Sequence, residues 1–105
     1  MKQEVPLLVE FEDDDLQRLY EDRNFRVPRF GHELVRAYRK VVGVVVAASD
    51  ERDLYALRSL HFEKLEGDRL GQHSLRLNKQ WRLIVELKST EKGKQVVVIE
   101  IVDYH

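Results

Sequence analysis

Apolar and polar positions repeat with two different periods along this 105-residue chain, and the change of period separates a helical first half from a stranded second half. Val5 to Phe11 (VPLLVEF) is β-branched and aromatic and predicts a short strand. The acidic cluster Glu12 to Asp15 then opens a helix, with Asp13 or Asp14 as N-cap and negative charge at the positive end of the helix dipole. Leu16, Leu19 and Tyr20 share one face and carry this helix to about Asp22, and Arg23 to Gly31, with Pro28 and Gly31, reads as a connector. His32 to Ala48 contains Val41, Val42, Val44, Val45 and Val46, which by propensity suits a buried strand. Leu34, Val35, Tyr38, Val41, Val42 and Val45 nevertheless recur at helical spacing over about four turns, too long for a typical strand, so a helix is predicted. Ser49 or Asp50 caps a further helix, Glu51 to Leu60, with Leu54, Leu57 and Leu60 inward, unless this segment continues the preceding helix after a kink.

From residue 62 the period is two. Phe62 to Leu65 predicts a short strand, followed by a Gly67-Asp68 turn. His73 to Leu77 and Trp81 to Lys88 alternate around a tight Asn78-Lys79-Gln80 connection. Thr90 to Lys94 is a polar turn, and Gln95 to Val102 (QVVVIEIV) is the strongest strand pattern in the chain. The predicted class is α+β: two or three N-terminal helices packed on one face of a twisted antiparallel meander. Alternation assigns Leu75, Leu77, Leu83, Val85 and Leu87 to the helix-covered face, with Val97, Ile99 and Ile101 as the matching set on the last strand. Ser74, Arg76, Arg82, Ile84, Glu86, Glu100 and Tyr104 then face the other way, whereas strict parity turns His105 back. Trp81 reads as a core or hairpin residue.

Composition narrows the classes. The length suits one domain, 1–105, and apolar and charged contents of 43% and 35% suit a globular protein with a charged surface. No apolar run is long enough to span a membrane, Met1-Lys2-Gln3-Glu4 lacks a secretory pattern, and there is no cysteine; a cytoplasmic protein without disulfides or thiolate chemistry is expected. Net charge is −1, with 8 Lys/Arg against 10 Asp/Glu in residues 1–50 and 10 against 9 in residues 51–105. Any anionic ligand must therefore be held by a local cluster and not by the field of the whole protein.

Arg76 and Arg82, on neighbouring strands across a short hairpin, are a candidate phosphate clamp, because guanidinium groups bind phosphate oxygens bidentately. Alone, the pair reads first as part of a cross-strand ladder with Glu86 or Glu100. His105 is a candidate proton carrier, its imidazolium form favoured by the terminal carboxylate and Asp103, and Tyr104 could stack on a base or bond a phosphate. His32, His61 and His73 show no ligand spacing, so neither a metal nor a cofactor is expected.

The segment Leu65 to Arg82 (LEGDRLGQHSLRLNKQWR) resembles the L-x-G-D-R-x-G-x-x-S-x-R-x-N-x-Q-W-R pattern of HigB-type toxins, a plasmid-maintenance killer family in the RelE/ParE superfamily. Glu100 to His105 (EIVDYH) is similar to that family's terminal motif. The resemblance implies a RelE-like fold and a type II toxin that cleaves mRNA in the ribosomal A site. It also implies neutralisation by a HigA-type helix-turn-helix antitoxin, in an assembly that could be a heterotetramer. The chemistry would be attack of a ribose 2′-OH on the adjacent phosphate, leaving a 2′,3′-cyclic phosphate. By position, the resemblance makes Arg76, Arg82, Asp103, Tyr104 and His105 the catalytic candidates and Lys64, Arg69 and Lys79 the RNA-binding ones. Arg76 and Arg82 would meet phosphate charge, His105 would transfer a proton, Asp103 would orient His105 or take the 2′-OH proton, and Tyr104 would position the nucleotide. Arg69 could instead serve structure, by bridging to a neighbouring carboxylate.

Two other functions remain open at this level. The superfamily also contains ParE-like gyrase poisons. Glu66, where many relatives carry a basic residue, keeps open a catalytically inert homologue acting in antitoxin-linked autoregulation.

Overall fold

Asp13 shows how the first helix is started: its carboxylate accepts from the backbone N–H groups of Asp15 and Leu16 at 2.8 and 3.1 Å, two donors with no partner inside a helix. The computed structural model describes residues 7–103. Within them the elements run β1 (Leu8–Phe11), α1 (Asp14–Glu21), α2 (His32–Ala47) and α3 (Glu51–Ala56). A 3-10 turn (Arg58–Leu60), β2 (Glu63–Lys64) and a second 3-10 turn (Gly67–Arg69) follow. β3 (Gln72–Arg76), β4 (Trp81–Thr90) and β5 (Gly93–Asp103) complete the order. The first strand is thus shorter than Val5 to Phe11; its predicted start lies outside the described residues.

The valine-rich segment is a helix, as its spacing predicts. Leu34, Tyr38, Val41, Val42 and Val45 are buried along one stripe, so burial of that stripe overrides the strand propensity of the valines. Tyr38 donates its hydroxyl to the Leu16 carbonyl at 2.6 Å, and burial, with Asp13 next, raises its pKa. Arg39 donates to the carbonyl oxygens of Leu19, Asp22, Arg23 and Phe25 at 2.8 to 3.5 Å. One side chain of α2 thereby ties down the end of α1 and the start of the connector. Asp50 caps α3, which is shorter than predicted: the 3-10 turn replaces its last part, so Leu54 and Leu60 point inward while Leu57 is exposed.

The sheet has the order β1-β5-β4-β3-β2. The meander of β2 to β5 is antiparallel, but β1 joins β5 in parallel, so the sheet is mixed and not purely antiparallel. The helical segment carries the chain from β1 to the start of the meander, and parallel pairing of such separated strands is what a long crossover permits.

β5 differs from its simple alternation. Val85 pairs with Val98, but Ile84 pairs with Glu100, so Ile99 is an extra residue at a bulge. Before the bulge Val96 and Val98, not Val97 and Ile99, join the core; after it Ile101 packs there as predicted. The helices cover Leu75, Leu83, Val85, Val96 and Val98, with Trp81, Leu87 and Ile101 packed against them. Among the described residues no helix is long and apolar enough to cross a membrane.

Candidate functional site

The hairpin between β3 and β4 sets the site. Asn78 accepts from the backbone N–H groups of Gln80 and Trp81, both at 2.9 Å, closing the turn with its own side chain. That closure brings Arg76 directly opposite Arg82. The two arginines, half-buried, form the end row of the sheet face turned away from the helices, with Val102 of β5 next to Arg82. Arg76 Nε donates to the Asn78 carbonyl at 3.4 Å, a long bond that leans the guanidinium toward the turn. Lys79 sits exposed at the hairpin tip.

One row further in, the pairing aligns Glu63, Ser74, Ile84 and Glu100. Glu100 does not form the ladder with Arg76 or Arg82 that sequence alone favours. Arg69, in the Gly67–Arg69 turn, donates to the Glu100 carboxylate at 2.6 Å and to Gln72 Oε1 at 3.0 Å. Gln72 is on β3 and Glu100 on β5, so this bridge straddles β4 and helps explain why Ile84, on the same face, is only 2% exposed. The bulge at Ile99 makes the contact possible: without it Glu100 would turn to the helix-covered side. The next row carries Glu10, Val97, Glu86 and Gln72. Two of the cations on this face thus stand side by side at its arginine end, with Lys88 in the row beyond Glu86.

Asp103 lies at that end too. It pairs with Trp81 and its carboxylate accepts from Gln80 Nε2 at 3.0 Å. Alternation gives it the parity of Trp81, opposite to that of Arg82. Tyr104 and His105, the other terminal candidates, lie outside the described residues.

Lys64 is not brought to the arginine row. It pairs with His73, on the parity of the helix-covered side, at the edge of the sheet. His73 is buried and stacked on Phe62 with ring centres 4.7 Å apart, and its Nδ1 has no hydrogen-bond partner among the described residues. Burial first, and the Lys64 charge second, lower its pKa and favour its neutral form.

Sequence reasoning missed two features. Gln80 is the tether of Asp103, and only its place in the Q-W-R motif signals it. The connector is the other: Arg23, Arg26, Arg36 and Arg39, with His32, line a groove of ≈ 670 Å³ floored by Phe25, Val27, Phe30 and Val35. Its arginine density was visible, but a reading based on Pro28 and Gly31 passes over it.

Comparison with known proteins agrees with this geometry. A model of the family described as "RelE-like toxin of type II toxin-antitoxin system HigB" matches residues 9–105. Toxin HigB-1 of Vibrio cholerae is 35% identical over 82 residues, which cover 76% of this chain and 83% of that protein. Among solved structures, the fold is similar to a YoeB/ParE toxin from Agrobacterium tumefaciens (TM-score 0.56, 16% identity, 94% of this chain and 100% of the other). It is equally similar to a chain of the YoeB-YefM complex from Staphylococcus aureus (TM-score 0.56, 15% identity, 96% and 99% covered). The chain belongs to the HigB-like family of RelE-like toxins of type II toxin–antitoxin systems.

Proposed function

We propose that the chain is a ribosome-dependent mRNA endoribonuclease that cuts the message in the A site and stops translation. The observation that carries this reading is the cross-strand pair Arg76–Arg82 at the sheet end where β5 finishes at Asp103. Attack of a 2′-OH on the neighbouring phosphate builds charge on the phosphorane oxygens, and two guanidinium groups held on a rigid sheet are suited to stabilise it. Arg82 and Arg76 meet the phosphate. Asp103, held by Gln80, orients His105 or takes the 2′-OH proton; His105 protonates the departing 5′-oxygen, and Tyr104 positions the nucleotide. The roles of Tyr104 and His105 rest on the family resemblance. Lys79 adds positive charge at the hairpin tip, and Lys64 contributes at longer range from the sheet edge.

Arg69 takes a supporting part in this reading. Glu100 is a diagonal cross-strand neighbour of Arg82, within reach of a long side chain. By engaging Glu100, Arg69 keeps that carboxylate from capturing Arg82 and from repelling the phosphate. Membership in a type II toxin family supports neutralisation by a HigA-type antitoxin, and the similarity to a toxin solved with its antitoxin points the same way.

The test is expression of the toxin without its antitoxin, with mRNA 5′ ends mapped, followed by cleavage of the same message in vitro with ribosomes present and absent. Growth arrest with cleavage only when ribosomes are present is expected. Arrest without RNA cleavage, accompanied by inhibition of purified gyrase, would replace this reading with that of a topoisomerase poison.

A further inference from the structure

We infer that the arginine-lined groove of the α1–α2 connector is a second binding site, a track for the phosphate backbone of single-stranded RNA flanking the bond at the sheet. The inference rests on the RNA reading above and adds a site to it.

The sheet face alone is poorly equipped to hold a polyanion. Arg69, Arg76, Arg82 and Lys88 share it with Glu10, Glu63, Glu86 and Glu100, Lys88 stands at the opposite end from the arginine row, and Arg69 is already bound to Glu100. The whole chain carries a net charge of −1, so no long-range field compensates. Binding an RNA backbone needs several cations at phosphate spacing. The groove is where they are: Arg23, Arg26, Arg36, Arg39 and His32 line it, and among the described residues no carboxylate does.

These arginines differ in what they can do. Arg39 is spent on four backbone carbonyl oxygens, so it builds the groove and does not bind in it. Arg23, Arg26 and Arg36 are exposed, and the ion pairs of the described residues go elsewhere: Arg18–Asp22, Arg52–Asp50, Arg69–Glu100 and Lys94–Glu51. Arg29 flanks the groove with its guanidinium over the ring of Phe30, 4.6 Å from the ring centre, whereas Arg18, 4.5 Å from the Phe25 ring centre, is also paired with Asp22. A guanidinium resting over a ring loses little freedom when it also meets a phosphate. α2 also begins in the groove, and its N-cap, Gly31, supplies no side-chain acceptor to the first N–H groups.

The groove adjoins the sheet end that carries the arginine row, on the opposite face of β4. Phe30 packs edge-on against Trp81 at 6.3 Å, and Trp81 is both the residue before Arg82 and the strand partner of Asp103. A strand with its reactive phosphate at Arg76 and Arg82 therefore needs only to pass the sheet end to reach Arg23, Arg26 and Arg36.

The test uses the full chain and a short fluorescein-labelled single-stranded RNA, with anisotropy read across about 50 to 200 mM salt. Substituting Arg23, Arg26 and Arg36 together by Ala should weaken binding about ten-fold or more and flatten the slope of log K against log salt by roughly 2, near 0.7 per lost phosphate contact. The corresponding triple Lys variant should keep most of the binding, and it preserves the test if the Ala variant melts early. Wild-type affinity and slope in the Ala variant would overturn the track. Loss of antitoxin binding with RNA binding intact would also overturn it and give the groove to an acidic protein segment. Ribosome-dependent cleavage by the wild type keeps these outcomes apart from the parent reading. Cleavage that persists unchanged in the Ala variant removes the track alone, and a wild type that cleaves nothing removes the parent reading as well.

Discussion

Arg69 belongs to a turn, yet its guanidinium acts at the far end of a bridge over β4, where it meets Glu100 at 2.6 Å. Both side chains are more than 40% exposed, so the pair itself stabilises the fold by no more than about 1 kcal/mol. Its larger consequence is electrostatic: it settles which cation Glu100 binds. Arg69→Ala should therefore lower cleavage about ten-fold, as Glu100 turns to Arg82 and draws it from the phosphate. Adding Glu100→Gln to that variant should restore most of the activity, because the competing charge is then gone. Single-turnover cleavage by the two variants checks this. Equal loss in the single and double variants would mean that Arg69 contacts the RNA itself. The G-D-R turn was legible in the sequence as a motif, but the partner of its arginine was not, since 31 positions separate Arg69 from Glu100.

At the scale of elements, hydrophobic spacing settled most of the layout. Leu34, Tyr38, Val41 and Val45 announce α2 despite its valines, and of the cap pairs the sequence offers, Asp13 or Asp14 and Ser49 or Asp50, the fold uses Asp13 and Asp50. Spacing could not announce the bulge. In the unbroken run Val96-Val97-Val98-Ile99 every residue is apolar, so alternation has no polar phase to mark where it slips. Nor could it give the parallel pairing of β1, a long-range choice that leaves no local trace. One residue of α2 is locally unfavourable. Gly43 lies inside the helix, and a methyl group added there would meet nothing within 4 Å. Gly43→Ala should raise stability by about 0.5–1 kcal/mol, seen as a higher urea midpoint at unchanged m. A lower midpoint would show that the helix surface at this point is less open than described.

Across the whole molecule, the buried His73 couples stability to pH. His73 is buried against Phe62, with Tyr55 near and Lys64 alongside, and its pKa is lowered from 6.5. In the unfolded chain it takes up a proton near pH 6.5; in the fold it does so only at lower pH. The unfolded state thus binds more protons in that window, and its stability contribution, full above about pH 6.5, is lost as the pH falls toward the folded value. Urea midpoints followed downward from neutral pH should decline, and His73→Phe should flatten the part of the decline that begins near pH 6.5. An unaltered profile in that variant would assign the loss to other groups. The catalytic proposal depends instead on the other end of the sheet, where the Arg76–Arg82 row meets the end of β5. The shared face of the two arginines was readable from alternation and the chemistry of His105 and Tyr104 from their residue types, but the catalytic roles of all four come from the resemblance. Cleavage of a defined message on programmed ribosomes by the wild type and by Arg82→Ala, with matched melting temperatures, tests the central claim most directly. A loss of about 10²- to 10³-fold in the single-turnover rate is expected for Arg82→Ala, whereas a wild-type rate in that variant would contradict a phosphate-stabilising role for the arginine row.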